Sequence, residues 1–182
     1  MLTMKNAGAV GEAALPVAEL AGQMRLADGY DAVPGQTTRL VSRLRAAMGM
    51  VERKLGLILV ERDVILTGRG PDGRRIGVGI SPVSLLGQVD VVRLGQSRSL
   101  DGARLEADGR DVVLVLPEAV SENSQLTVTV TAGFGIWAAV PDEIRQAVLM
   151  IAEALDEGRT ELMPIASRLI AGHRDVRIGG RR

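Results

Sequence analysis

The chain has 182 residues, enough for a domain with a real core, and its 22 basic and 22 acidic side chains cancel. That balance argues against bulk electrostatic capture of nucleic acid, and a hydrophobic share of 46% argues against wholesale disorder. The absence of cysteine excludes disulfides, thiolate metal sites and cysteine nucleophiles, and a single histidine, His173, leaves no multi-histidine metal site within one chain.

Aromatic residues make up only 2%, so Leu, Val, Ile, Met and Ala must fill the core. Lys5 and Lys54 are the only lysines; arginine supplies the other cations and suits bidentate pairing with carboxylates at interfaces. No uninterrupted apolar run approaches the roughly 18 residues of a membrane span. The stretch MLTMKNAGAVGEAALP does not read as a signal peptide. The expectation is a soluble protein made inside the cell.

In chain order, residues 1–14 read as a flexible N-terminal arm. LPVAELAGQMRL (15–26) predicts a short helix with Val17, Leu20 and Met24 on one face, and 27–36 is a Gly/Asp/Pro loop. TTRLVSRLRAAMGMVERKLG predicts a helix over 37–56. Thr37 or Thr38 would cap it, and Leu40, Leu44, Ala47, Met48, Val51 and Leu55 form its apolar stripe. Arg39, Arg43, Arg45, Glu52 and Arg53 lie mainly off that stripe, and Gly56 is the stop.

The middle is strand-like. LILVERDVILT (57–67), a turn at 69–75 and IGVGI (76–80) predict a hairpin. Further strands are expected at Val89–Leu94, on either side of an Asp-Gly turn within 99–117, and at 125–133, where Leu126, Val128 and Val130 alternate with threonines. Isolated hairpins are marginal in water, so these strands are expected to share one small sheet. A second long helix follows at about 141–157, with Pro141 at its first position and a stripe of Ile144, Val148, Ile151 and Leu155 beside Ala147. A short helix carrying Ile165, Leu169 and Ile170 precedes a basic tail. The fold class is therefore α+β: a small helical bundle packed with a small antiparallel β region, and an extended C-terminal tail. Phe134 and Trp137 are expected to cover the seam between sheet and helix.

Reactive constellations are hard to assemble. GRGPDGRRIGVG (68–79) lacks the Gly-Lys-Ser/Thr ending of a phosphate loop and sits between strands, so a β-turn is the better reading. Glu61, Asp63 and Asp90 are isolated acids. Ser81 and Ser84 lack a nucleophile elbow, and His173 lies near the tail. That histidine is either solvated or in contact with a partner chain. Val176 and Ile178 among arginines predict an extended segment able to add to a partner's sheet.

The order of these elements is distinctive: LPVAELAGQMRL, then LVSRLRAAMGMVERKLGLIL, then SPVSLLGQVDVVRL in a β region, then VTVTAGFG…VPDEIRQAVLMIAEAL, then ELMPIASRLIAGHRDVRIG. Over roughly residues 15–178 it resembles the head–tail connector (adaptor) proteins of long-tailed bacteriophages, together with the similar adaptors of gene transfer agents. The TAGFG turn followed by VPDEIRQAV is its most specific part.

The resemblance implies a structural protein, not an enzyme, with no cofactor. It implies a homo-oligomeric ring, typically a dodecamer, beneath the portal protein, with stopper or tail proteins on the other side. DNA would pass through the lumen without sequence-specific binding. No membrane is involved; the location is the head–tail interface of the virion, assembled in the bacterial host cytoplasm. On this view residues 15–172 form a single connector domain with a β-rich insertion at about 57–131, and 173–182 form a C-terminal docking tail. The segment reaching the portal would be Ile165, Leu169, His173, Arg174, Val176, Arg177, Ile178, Arg181 and Arg182. Helices packed between subunits would bring Arg39, Arg43 and Arg53 of one copy to Glu153 and Glu157 of another. The alternatives are another completion protein (a stopper or tail terminator) or a small non-viral ligand-binding domain using the glycine-rich turn.

Overall fold

A computed structural model describes residues 1–109 and 111–173. The residues expected to form one connector domain fall into two compact units. A β unit comprises Met1–Ala9 and Val60–Phe134, and a helical unit comprises Val10–Leu59 and the chain from Gly135 onward. The fold is α+β, as the periodicities imply.

Among the described residues the β unit contains eight strands: β1 (Thr3–Ala7), β2 (Arg62–Arg69), β3 (Gly73–Gly77), β4 (Val83–Arg93), β5 (Gln96–Ser99), β6 (Arg104–Asp108), β7 (Asp111–Val120) and β8 (Gln125–Ala132). They form two antiparallel sheets, ordered β1-β2-β8-β4-β5 and β3-β7-β6, where one sheet was expected. Strand β8 is the centre of the larger sheet. Its Leu126, Val128, Val130 and Ala132 are fully buried, in register with Val64 and Leu66 of β2 and with Val89 and Val91 of β4. The period-2 pattern thus buries one continuous face.

Two further sequence expectations fail in this unit, each for a long-range reason. Strands β2 and β3 do not form a hairpin; β2 pairs with β1 and β8, and β3 with β7. At Gly70, between them, the backbone N–H donates to the Ser124 carbonyl at 2.8 Å. A Cβ on Gly70 would lie 2.0 Å from the Ser121 carbonyl oxygen. This close passage carries the chain from one sheet to the other. The N-terminal arm is likewise not free: β1 extends the edge of β2, Leu2 is 1% exposed, and its N–H donates to the Gly77 carbonyl at 2.9 Å. Burying that leucine contributes roughly 2 kcal/mol toward ordering the segment.

The helical unit contains α1 (Val17–Gln23), α2 (Gln36–Leu55), α3 (Asp142–Glu157) and α4 (Leu162–Leu169). All six residues of the predicted α2 stripe are buried, and Gly56 ends the helix at φ +70°. The N-cap is Gly35, so Thr37 and Thr38 lie inside the first turn. Glu52 is buried too, because its carboxylate accepts the Leu59 N–H at 2.9 Å where the chain reverses after the helix. Pro141 is the N-cap of α3 and not its first residue, so the helix begins one position later than expected. Helix α3 packs against α1, α2 and α4, which explains why Leu149, Ala152 and Ala154 are buried outside the predicted stripe. Leu155 is only half-buried.

Trp137 belongs to the helical unit, where its indole N–H donates to the Glu19 carboxylate of α1, with both oxygens at 3.1 Å. Phe134 is half-buried and belongs to the β unit. Among the described residues no helix is long and apolar enough to cross a membrane.

Candidate assembly surfaces

The charged residues singled out on α2 and α3 mostly find partners within the chain. Asp156 of α3 lies between two arginines of α2, with Arg39 Nε 3.3 Å and Arg43 Nε 3.5 Å from its Oδ1. Its side chain is 4% exposed, whereas Arg39 and Arg43 keep 47% and 42%. A buried carboxylate is tolerated when cations face it, and here two do. The guanidinium edges stay at the surface with more positive charge than the single carboxylate cancels.

Glu153 is also occupied. One carboxylate oxygen accepts from Arg159 Nη1 at 2.7 Å and the other from Gln23 Nε2 at 2.6 Å. Glu157 lies 3.7 Å from the same Arg159. Arg159 Nε also donates to Glu161 at 3.1 Å. The backbone amide of Glu161 and then this arginine hold the Glu161 carboxyl below its ordinary range. Arg53 is exposed on α2. The sequence pattern gave no sign of Arg159 and Gln23 as partners of Glu153. Arg159 directly follows the Gly158 stop, a position from which it can turn back onto the acidic last turn of α3.

At the C-terminal end of the helical unit, Ile165 is 48% exposed on α4 and Leu169 is half-buried. Ile170 is buried and fixes the end of the helix. Lys54 of α2 donates to Ser167 of α4 at 2.8 Å. His173 Nε2 lies 3.6 Å from the Glu143 carboxylate at the start of α3. The remaining residues expected to reach a portal, Arg174, Val176, Arg177, Ile178, Arg181 and Arg182, lie outside the described residues.

The acids of the β unit serve cross-strand contacts. Thr131 donates to Asp63 at 2.9 Å, and the Ser84 hydroxyl lies 3.2 Å from Glu61. Glu106 is held between Arg75 at 2.6 Å and Arg104 at 2.8 Å, and its carboxyl is lowered, by the Arg75 hydrogen bond first and the Arg104 bond next. Among the described residues no group of three or more His, Asp or Glu side chains is placed to hold a metal ion.

No family model and no curated protein matches the chain. Solved structures do. The chain aligns over 100% of its length with 99% of a chain from the neck of an empty gene transfer agent (GTA) particle computed with C6 symmetry, at 30% identity and a TM-score of 0.82. It aligns over 100% with 98% of a chain from the virion of a native GTA particle, at 29% identity and 0.79. A chain from the neck of a native GTA particle computed with C12 symmetry aligns at 28% identity and 0.73, covering 100% of this chain and 99% of that one. Fold and surfaces thus define a structural component of a virion. The chain belongs to the head–tail connector (adaptor) family of tailed phages and gene transfer agents.

Proposed function

We propose that the chain is a head–tail adaptor: copies of it form a ring, of twelve subunits, beneath the portal of a filled head, and the ring joins head to tail while DNA passes through its lumen. The observation that carries this reading is the end-to-end match, over 100% of this chain and 99% of the other, to a chain from a GTA neck. The C6 and C12 symmetries of the neck structures support a cyclic assembly. Closed rings need a head-to-tail contact whose rotation closes. Zero formal charge suits a channel through which DNA must slide without being held.

In this reading Ile165, Leu169 and His173 begin a portal-docking surface that continues through Arg174, Val176, Arg177, Ile178, Arg181 and Arg182. The half-exposed edges of Arg39 and Arg43, together with Arg53 and Glu157, face neighbouring copies, while Glu153 is turned inward to Arg159 and Gln23. Reconstruction of the assembled particle is the direct test. A ring of this chain between portal and tail is expected, and a seat at the far end of the tail would sink the adaptor role. Deleting residues 172–182 should weaken co-purification with portal protein while the thermal transition stays in place; undiminished co-purification would refute the docking tail.

A further inference from the structure

The tip of the β4–β5 hairpin borders a hollow in the β unit. Leu94 and Gly95 turn the chain there; Leu94 has φ +51° and is 95% exposed. The hollow beside them measures about 450 Å³, within the roughly 300–1,000 Å³ of small-molecule sites. Buried Val91 and Val120 contribute its apolar wall, and Arg93, Ser97, Ser121 and Ser124 its polar one. Arg98 lines it too, but its charge is answered by Glu118. Among the described residues no acid lines the hollow, so Arg93 leaves it with net positive charge.

Two of these groups have bonding capacity that the chain does not use. The Arg93 guanidinium has no ion pair or hydrogen bond with any described residue. Ser124 is 4% exposed; its N–H donates to the Ser121 carbonyl at 3.0 Å and its carbonyl accepts the Gly70 N–H at 2.8 Å, but its hydroxyl has no partner among the described residues. A polar group buried without a partner is costly, so one that lines a hollow points to a ligand that bonds it there. The strand register brings the two groups together. Val92 of β4 pairs with Gln125 of β8, so the next step sets Arg93 against Ser124, on the side of the sheet that carries buried Val91 and Leu126.

We propose that this hollow binds a phosphate-type oxyanion, with the Arg93 guanidinium as its counter-charge and the Ser124 hydroxyl as its most buried donor. Ser97 and Ser121 supply further hydroxyls; the Ser121 Oγ accepts the Asn123 N–H at 3.3 Å, which leaves its own O–H free to donate. This donor set favours phosphate over a carboxylate. A planar carboxylate is satisfied by the guanidinium fork alone, whereas a tetrahedral anion has further oxygens for the serines. A single guanidinium sets the affinity low, with Kd on the order of 1 mM. The phosphate can come from the backbone of DNA or from the free ion, since arginine and hydroxyl side chains serve both. Every group of the site belongs to one chain, so the inference does not depend on the ring.

Inorganic phosphate is the first probe, titrated past that Kd at constant ionic strength against the isotope-labelled full chain, with amide and arginine side-chain resonances followed by NMR. Saturating shifts of the Arg93 Nε–H and of the Ser121 and Ser124 amides are expected, with sulfate competing and acetate not. Ser124→Ala should weaken binding about tenfold and Arg93→Gln should abolish it, both at the wild-type unfolding midpoint. Arg69→Gln is the control. Arg69 likewise has no ion pair, but its register with Gln125 puts it on the opposite face of the sheet, and its loss should leave the titration unchanged. Shifts that never saturate, or equal weakening by Arg69→Gln and Arg93→Gln, mean diffuse charge attraction and overturn the site. Equal competition by acetate overturns the phosphate assignment. A short DNA duplex then separates the sources: if it displaces phosphate and moves the same resonances, the DNA backbone is the ligand, and if it leaves them in place, the free ion is.

Discussion

In the helical unit, the acids at the C-terminal end of α3 are answered inside the chain: Asp156 by Arg39 and Arg43, and Glu153 by Arg159 and Gln23. The β unit pairs charges too, Glu106 with Arg75 and Arg104, but it carries the more extreme carbon exposure, Leu94 at 95% against Ile136 at 74% in the helical unit. Each unit has a closed core, Leu44 and Ile144 in one and Val128 and Val130 in the other, all fully buried. The difference therefore lies at the surface. Half-exposed ion pairs contribute little to stability and fix side chains in place. An exposed leucine at a strained turn adds nothing to the isolated subunit and gains only when something covers it.

That contrast can be tested by perturbing each unit. Gly70→Val should do the most damage, about 3 kcal/mol or more by urea unfolding, since its first side-chain atom would meet the Ser121 carbonyl at 2.0 Å. A loss below about 1 kcal/mol would mean that the crossing between sheets yields easily. Asp156→Ala comes next. Removing one member of a fully buried pair costs about 3–5 kcal/mol. Because Arg39 and Arg43 are more than a third exposed, water screens them, and the expected loss is about 1–2 kcal/mol. Recovery of that loss in the Arg39→Leu, Arg43→Leu, Asp156→Leu triple variant would confirm that the unpaired cations were the cause.

Trp137→Phe keeps an aromatic side chain but removes the donor to Glu19, and should cost about 1 kcal/mol or more in the same assay. The smallest effect belongs to Glu106. Its folded-state carboxyl is lowered by Arg75 and Arg104, so its contribution is present above the ordinary carboxylate range and is lost as pH falls through the folded value. Glu106→Gln should flatten that acid limb of the stability profile while leaving stability near pH 7 only slightly lower; an unchanged acid limb would mean that the cluster is not formed in solution.

What could be read from the sequence follows the range of the interactions. The α2 stripe and the alternation of β8 are local, and all nine of the side chains they nominate are buried. The division into two sheets was not legible, because it depends on which distant strand each segment meets. Strand β2 lies some sixty residues from β8, and the crossing at Gly70 is dictated by Ser121 and Ser124. The same holds for β1, whose polar TMKNA looks like an arm until the edge of β2 is present. The intrachain partners of the charged residues were not legible: Arg39 and Arg43 turn to Asp156, and Glu153 turns to Arg159. A signal for the Leu94 tip was available in VVRLGQSRS, where two residues divide two strands, yet Leu-Gly is not a dipeptide that marks such a turn.

The alternation of the two units along the chain has a consequence for synthesis. Residues 10–59 of the helical unit emerge inside the β unit's own sequence, and α3 follows only after β8. Helix α2, complete at Leu55, must therefore wait about a hundred residues for the end of α3, or roughly 5–20 s at bacterial elongation rates. For that interval Leu40, Leu44, Met48 and Val51 have no α3 to cover them, while the β unit can already close once Phe134 is out. The nascent subunit is thus born sheet-first, with the apolar stripe of α2 left longest in need of shelter.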